Sequence, residues 1–152
     1  MSTWTRADGH AVSDERTRID RDRVFGWLSR EAYWSAGIPR AVFERSLDGA
    51  MCFGVYAPDG AQIGFARVMG DRATFGYLGD VFIAPEARGR GLSRFLLDTI
   101  FAHPELQGFR RWLLATRDAH ALYRHYGFEP LADPARVMER PDPDVYRRSA
   151  AG

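Results

Sequence analysis

Residues 51–83 contain three apolar segments in close succession, and this arrangement limits the fold more than any other part of the sequence. The segments are residues 51–57, 62–69 and 73–83. Pro58-Asp59-Gly60 separates the first two segments and Gly70-Asp71 separates the second from the third, and both are turn signals. Short apolar segments joined by tight turns are typical of antiparallel hairpins. We therefore predict three consecutive antiparallel strands.

The spacing of the apolar residues changes from that of a strand to that of a helix after the third segment. Residues 85–91 are predicted as a loop, and an apolar face then recurs at helical spacing. That face consists of Leu92, Phe95, Leu96, Thr99 and Ile100. Residues 110–116 follow as a predicted buried strand.

Further helices are predicted on both sides of this central region. One helical pattern begins near Asp22, and Pro39 suits the first turn of a second helix. Towards the C-terminus, Asp118 fits the N-cap of another helix and Gly127 fits its end. Strands in a row combined with flanking helices indicate an α/β protein of the α+β type.

The two ends of the chain are predicted as polar tails around one domain. Residues 1–16 are interpreted as a mobile N-terminal tail and residues 141–152 as a polar C-terminal tail. Residues 17–140 then form a single domain, a usual size for one. Within it, residues 128–131 and 136–140 are expected to form a last hairpin.

Composition narrows the class of protein. A hydrophobic content of 45% excludes a disordered chain, and a net charge of +1 argues against nucleic acid as a partner. The first ten residues include no apolar signal region, and the uncharged segment 49–58 is too short to span a membrane. Cys52 is the only cysteine, so no intrachain disulfide can form. We expect a cytoplasmic protein without a membrane or nucleic-acid partner.

The strand, loop and helix of residues 80–93 have the features of an anion site. Gly89 and Gly91 lie just before the first turn of the helix, whose backbone N–H groups have no partners within the helix. These donors and the helix dipole attract an anion, and glycines let a phosphate approach the backbone. Arg88 and Arg90 add positive charge. The segment therefore predicts a ligand that carries phosphate, although a basic tight turn is the alternative.

Two segments resemble motifs of the GNAT superfamily of acyl-CoA-dependent N-acetyltransferases. Residues 88–93, Arg-Gly-Arg-Gly-Leu-Ser, resemble the R/Q-x-x-G-x-G/A motif, with Ser93 at a position usually held by Gly or Ala. Residues 122–128, Leu-Tyr-Arg-His-Tyr-Gly-Phe, resemble the L-Y-x-x-x-G-F element. The resemblance covers residues 20–140 and implies a central mixed, mostly antiparallel sheet with two splayed strands, flanked by about four helices.

The resemblance also implies how the coenzyme, acetyl-CoA, would bind. Its pantetheine would lie in the wedge between the splayed strands and bond to the strand backbone, while its pyrophosphate would lie at the loop. A bulge at Gly79 would open the wedge. The residues assigned to the coenzyme are Val81, Phe82, Ile83, Arg88, Gly89, Arg90, Gly91, Leu92 and Ser93.

Acetyl transfer to an amine requires a base for the amine and an acid for the leaving thiolate. Tyr123 is the candidate acid, because the family's tyrosine at this motif position donates to the coenzyme sulfur. Asp80 is the candidate base, directly or through water, and a structural carboxylate is its alternative role. Trp34 and Tyr77 are candidates for the acceptor side, with core packing as the alternative for Tyr77. No metal site is expected, because the four histidines and Cys52 form no ligand cluster.

The resulting hypothesis is an enzyme that transfers acetyl from acetyl-CoA to a primary amine of a small molecule or peptide, by direct attack in a ternary complex. Two alternatives stay open at this point: a non-catalytic acyl-CoA-binding or sensing module, and a protein-lysine acetyltransferase. A homodimer is also left open. The sequence does not name the acceptor, because one fold serves many substrates.

Overall fold

The computed structural model describes residues 1–151 and contains one six-stranded sheet in the order β1-β2-β3-β4-β5-β6. The strands are β1 Thr3–Thr5, β2 Ala11–Ser13, β3 Met51–Tyr56, β4 Gln62–Gly70, β5 Phe75–Ile83 and β6 Arg111–Leu113. All neighbouring pairs are antiparallel except β5 and β6, which are parallel. The three predicted central strands are therefore confirmed as β3, β4 and β5.

Five α-helices surround the sheet. They are α1 Arg21–Gly26, α2 Arg40–Asp48, α3 Leu92–Ala102, α4 His120–Arg124 and α5 Val145–Ala151. A π-helical segment, Trp27–Glu31, continues α1 directly. The predicted apolar face of α3 is buried except for Phe95, which is partly buried. Helix α3 contacts β2, β3 and β5, while α1 contacts β4 and α2 contacts β3. Strand β3 is buried along its whole length, which requires cover on both faces of the sheet.

The prediction of a mobile tail over residues 1–16 is wrong, because this segment contributes two strands. Val12 is fully buried and pairs with Val55 of β3. Asp14 accepts from the His103 ring at 2.7 Å, at the C-terminal end of α3. Each strand has only three residues, so neither shows the alternation by which a strand is recognised in a sequence.

The C-terminal predictions also differ from the structure. Residues 128–131 and 136–140 do not form a hairpin, and a short 3-10 helix, Pro134–Arg136, ends at the first residue of the second segment. Proline has no N–H to donate to a strand ladder, and Pro130 and Pro134 both lie in this segment. The predicted polar tail contains helix α5, in which Tyr146 is partly buried against the core.

Strands β5 and β6 pair over three residues only and then separate. Their register joins Phe75–Tyr77 to Arg111–Leu113, and β5 continues to Ile83 with no strand beside it on that edge. The pairing of β4 with β5 is interrupted in the same region, between Phe65 and Arg67. Here Asp80 adopts a left-handed φ of 54°, whereas Gly79, the predicted bulge residue, still pairs with Arg67. The implied pair of splayed strands is thus confirmed, with the bulge one residue further along.

No helix in the described part of the chain combines the length and the apolar character that crossing a membrane would require.

We predict that Val12→Ala lowers the free energy of unfolding by about 1–3 kcal/mol, because it removes two methyl groups from a fully packed site. Chemical denaturation measures this change. Val137→Ala is the matched control, since Val137 is 40% exposed and should lose under about 0.5 kcal/mol. Equal, small effects of both substitutions would mean that the N-terminal hairpin does not pack on the sheet.

Candidate functional site

The space between β5 and β6 forms a cavity of about 580 Å³. Its walls come from β4 and β5, from the segment that follows β6, from the turn after the π-helical segment, and from α4 and α5. The cavity brings together all four predicted catalytic and substrate-binding residues, Tyr123, Asp80, Trp34 and Tyr77. A volume of this size suits a small organic ligand.

Tyr123 projects from α4 and is only 9% exposed. Burial, with a smaller contribution from Tyr33, raises the pKa of Tyr123 to about 12. Its hydroxyl is therefore protonated throughout the neutral range and makes no hydrogen bond within residues 1–151. It lines both the main cavity and a second cavity of about 340 Å³, which His120 also lines.

The two ends of α4 are fixed by local hydrogen bonds. Thr116 Oγ1 accepts from the Ala119 N–H at 3.0 Å, so Asp118, the predicted N-cap, does not cap this helix. At the other end Gly127 has a left-handed φ of 88°, and the Phe128 N–H donates to the Tyr123 carbonyl at 3.2 Å. This helix stop agrees with the prediction and holds Tyr123 at the cavity wall.

Asp80 is the most constrained polar residue of the cavity. Its Oδ2 accepts from Arg67 Nε, and its Oδ1 accepts from Trp34 Nε1 at 2.8 Å. Its side chain is 9% exposed. A carboxylate has about four acceptor positions, so two remain for a ligand or water. Aspartate tolerates the left-handed φ of this bulge better than most residues, which suits Asp80 to its position.

The two predicted acceptor-side aromatics lie at different depths. Trp34 is 44% exposed and meets Tyr33 in a T-shaped contact, with ring centroids 5.1 Å apart. Tyr77 is half-buried on β5, opposite Met69 of β4. The guanidinium of Arg117 lies 3.8 Å from the centroid of the Tyr33 ring. The wall therefore offers aromatic surface from the rim of the cavity inwards.

The glycine loop has the geometry expected of an anion site. Gly89 and Gly91 have left-handed φ values of 78° and 73°, and Gly91 is the N-cap of α3. Within the described chain, the backbone N–H groups of residues 89–94 donate no hydrogen bond, and the first helical bond joins the Phe95 N–H to the Gly91 carbonyl. Six neighbouring donors are therefore free, as an anion would require.

The arginines and strand residues assigned to the coenzyme differ in what they present. Arg88 Nε donates to the Ile83 carbonyl at 2.9 Å, and its guanidinium lies 5.4 Å from the centroid of the Phe82 ring. Its side chain is thus turned back onto β5. The side chains of Phe82 and Ile83 are buried, so these residues can reach a ligand only through their backbone. Val81 is half-buried and lines the cavity.

Three residues at these sites were missed in the sequence. Arg67 and Tyr146 line the cavity, and Arg6 donates to the Arg90 carbonyl in the glycine loop at 3.1 Å. Their elements meet only in the folded chain, and no local motif marks them. Among residues 1–151, no group of three or more His, Cys, Asp or Glu side chains is arranged to hold a metal ion.

Comparison with known proteins identifies the family. Residues 49–130 match the model of the acetyltransferase (GNAT) domain. A protein from Xanthomonas campestris pv. campestris, provisionally named an acetyltransferase of the GNAT family, has a crystal structure with a TM-score of 0.87 and 48% identity, over 90% of this chain and 96% of that chain. A provisionally named acetyltransferase from Gibberella zeae is 32% identical over 79% of this chain and 78% of its own.

A more distant match supports the fold alone. Glucosamine-6-phosphate N-acetyltransferase from Arabidopsis thaliana has a TM-score of 0.61 at 14% identity, over 87% of this chain and 97% of that chain. The family match and the nearer relatives define the protein as an acetyltransferase. The chain belongs to the GNAT superfamily.

We predict that Tyr123→Phe leaves the tyrosinate absorbance at about pH 10.5 unchanged. A group with pKa about 12 is only about 3% ionised at that pH, whereas an ordinary tyrosine is mostly ionised. The pKa of Tyr123 in the folded protein lies above the unfolded value of about 10. The contribution of this residue to the free energy of unfolding is therefore fully present below about pH 10 and is lost as the pH rises towards about 12. Circular dichroism would confirm that both proteins are folded, and loss of one tyrosine's absorbance would contradict the burial.

Proposed function

We propose that this protein transfers an acetyl group from acetyl-CoA to a primary amine by direct attack in a ternary complex. The observation that carries the proposal is the cavity at the uncovered edge of β5, which has the buried, protonated Tyr123 in its wall. The free N–H groups of the glycine loop follow the same strand. The reaction would need these three parts: a strand edge for the pantetheine, donors for the pyrophosphate and a donor for the sulfur.

The coenzyme would bind mainly through backbone groups. Its pyrophosphate would accept hydrogen bonds from the N–H groups of residues 89–94, and the dipole of α3 favours a negative charge at this end of the helix. The backbone of Val81, Phe82 and Ile83 would pair with the pantetheine amides, as a neighbouring strand would. Arg90 would add a positive charge to this site and Ser93 a hydroxyl group. Arg88 would instead stabilise the loop by packing its guanidinium against Phe82.

The acceptor amine must be neutral before it attacks. A primary amine of pKa ~10 is about 0.1% neutral at pH 7, which costs roughly 4 kcal/mol. Asp80 would accept the ammonium proton, directly or through water, at one of its two unused acceptor positions. Its carboxylate would also attract the ammonium into the cavity. Trp34 and Tyr77 would form part of the wall around the acceptor.

The chemical step would form the bond from nitrogen to the acetyl carbon and break the bond from that carbon to sulfur. Backbone N–H groups near Phe82 would stabilise the carbonyl oxygen as it becomes negative. Tyr123 would donate a hydrogen bond to the departing sulfur. Because its pKa of about 12 lies above that of a thiol, ~8.5, Tyr123 would act mainly by this hydrogen bond. Nitrogen loses two protons in all: the first leaves to water by way of Asp80, and the second ends on sulfur, so that the products are an amide and free CoA.

Gly91→Ala is expected to weaken acetyl-CoA binding by about tenfold or more. A methyl group at residue 91 would meet only Arg6 within the protein, at 3.7 Å, but it would occupy the surface at which the pyrophosphate approaches the backbone. Calorimetry measures the affinity, and NAD serves as the unrelated nucleotide that should bind much more weakly.

The matched control for this substitution is Gly60→Ala. Gly60 also has a left-handed φ, 91°, with open space around it, so both alanines cost similar stability, about 1 kcal/mol. Gly60 lies in the turn after β3, and its substitution should leave the affinity unchanged. If both variants bound acetyl-CoA like the wild type, the phosphates would have to lie elsewhere.

Tyr123→Phe is expected to fold, to bind acetyl-CoA normally and to lose ~10²-fold in turnover with an accepted amine. The ring is kept, and only the donor to the sulfur is removed. Thiol release under saturating conditions measures turnover. Tyr126→Phe is the control, because the Tyr126 hydroxyl bonds to Asp98 outside the cavity. Turnover of the Tyr123 variant within about threefold of wild type would exclude its role.

A further inference from the structure

The tyrosines of this chain divide into two groups. Tyr56 and Tyr126 lie outside the main cavity, and their hydroxyls donate to the Arg18 carbonyl and to Asp98. The other four line the cavity, and within residues 1–151 none of their hydroxyls makes a hydrogen bond. These four are Tyr33, Tyr77, Tyr123 and Tyr146. The cavity therefore has aromatic walls, and the hydroxyl groups of these tyrosines can form hydrogen bonds with a ligand.

The charges of the same cavity cancel. Its lining contains two arginines, Arg67 and Arg117, and two aspartates, Asp80 and Asp118. Arg67 is paired with Asp80, and Arg117 lies over the Tyr33 ring. Among the described residues that line the cavity, Arg67 and Arg117 are the only cations, and Arg67 is already paired, whereas phosphate sites usually offer several free donors of this kind. The unused acceptor positions of Asp80 instead suit a single ammonium group.

We infer that the acceptor is a primary amine carried on an aromatic or apolar body, without a phosphate or carboxylate group. This inference rests on the proposed function and specifies its substrate class. The amine would lie at Asp80, and the body would contact Trp34 at the rim, where 44% of that residue is exposed. Arg67, the cation next to the proposed amine position, is already paired with Asp80, so an anion beside the amine would lose water without gaining a free cation there.

The test compares acceptors that differ in one feature, with thiol release as the assay. 2-Phenylethylamine should exceed phenylalanine, which adds a carboxylate beside the same amine, by about tenfold or more in kcat/KM. Glucosamine 6-phosphate and spermidine should be poorer still. Trp34→Phe removes the indole N–H that donates to Asp80, and it should raise KM for 2-phenylethylamine. Trp34→Ala also removes the aromatic surface, and it should raise KM by more.

The outcomes separate this inference from the proposed function. Failure of the wild-type protein to bind acetyl-CoA would defeat both. Binding of acetyl-CoA together with equal or better use of phenylalanine, the sugar phosphate or spermidine would overturn the acceptor class alone. If no amine reacts, calorimetry with CoA-saturated protein decides: no binding of 2-phenylethylamine would overturn the inference.

Arg6, in the turn between β1 and β2, contacts the glycine loop. Its Nη1 donates to the Arg90 carbonyl at 3.1 Å, and its guanidinium lies 5.5 Å from the centroid of the Phe95 ring in α3. Asp8 holds the guanidinium through both Nε and Nη2. In a trans peptide the carbonyl and the following N–H point in opposite directions. Arg6 therefore fixes the direction of the Gly91 N–H, one of the free donors of the loop.

The geometry points to Arg6 as a positioning residue for the coenzyme loop, which also rests on the proposed function. Arg6→Ala should weaken acetyl-CoA binding about fivefold, the effect of one hydrogen bond, and leave kcat at saturation unchanged. Arg6→Lys should restore part of the affinity. Arg147→Ala removes the same charge at a position whose side chain is exposed, and it should have no effect.

The salt dependence of acetyl-CoA affinity distinguishes a role of Arg6 in positioning the loop from a simple attraction between its charge and the coenzyme. The loss in Arg6→Ala should persist at high ionic strength, because a hydrogen bond at short range is screened little, whereas a distant charge is screened strongly. Wild-type affinity in Arg6→Ala, or a loss that disappears at high salt, would overturn the positioning role. Wild-type binding of acetyl-CoA in the same experiment tests the proposed function separately.

Discussion

The short parallel pairing of β5 with β6 is the feature on which the rest of the site depends. Three residues of each strand pair, and beyond Tyr77 the strand β5 continues to Ile83 with an uncovered edge. A buried strand edge leaves backbone groups that must find a partner. In this chain the edge faces the main cavity and leads directly into the glycine loop. One departure from regular pairing thus provides the cavity, its polar wall and the approach to α3.

The bulge in β5 adds a second element to this arrangement. Asp80 adopts a left-handed conformation there, and its carboxylate joins Arg67 of β4 to Trp34 from the helical region. Burying a carboxylate is costly unless it is paired, and these two donors meet that requirement. The loop offers free N–H groups to an anion, while the bulge offers carboxylate oxygens to a cation. One end of the wedge therefore presents hydrogen-bond donors and the other presents acceptor oxygens, as the proposed anionic coenzyme and cationic amine would require.

The N-terminal hairpin connects these parts to the rest of the fold. It contacts α3 at both ends: Arg6 reaches the loop at the start of the helix, and Asp14 pairs with His103 just after its end. Trp4 also meets the His103 ring at 5.6 Å. The helix whose N-terminus bears the free donors is therefore held in place by contacts that span 84 and 89 positions of the sequence.

The sequence by itself determined the central strands, helix α3, the glycine loop and the position of Tyr123. Each of these rests on local information: turn residues, apolar spacing, glycines before a helix, or a short motif. The tertiary structure decided the rest. Strands β1 and β2 are too short to show a period, and they form because β3 offers an edge and buries Val12. The pairing of Asp80 with Arg67, and the contribution of Tyr146 to the same cavity, join residues far apart in the chain. Such contacts depend on how strands and helices pack, and no local pattern encodes them.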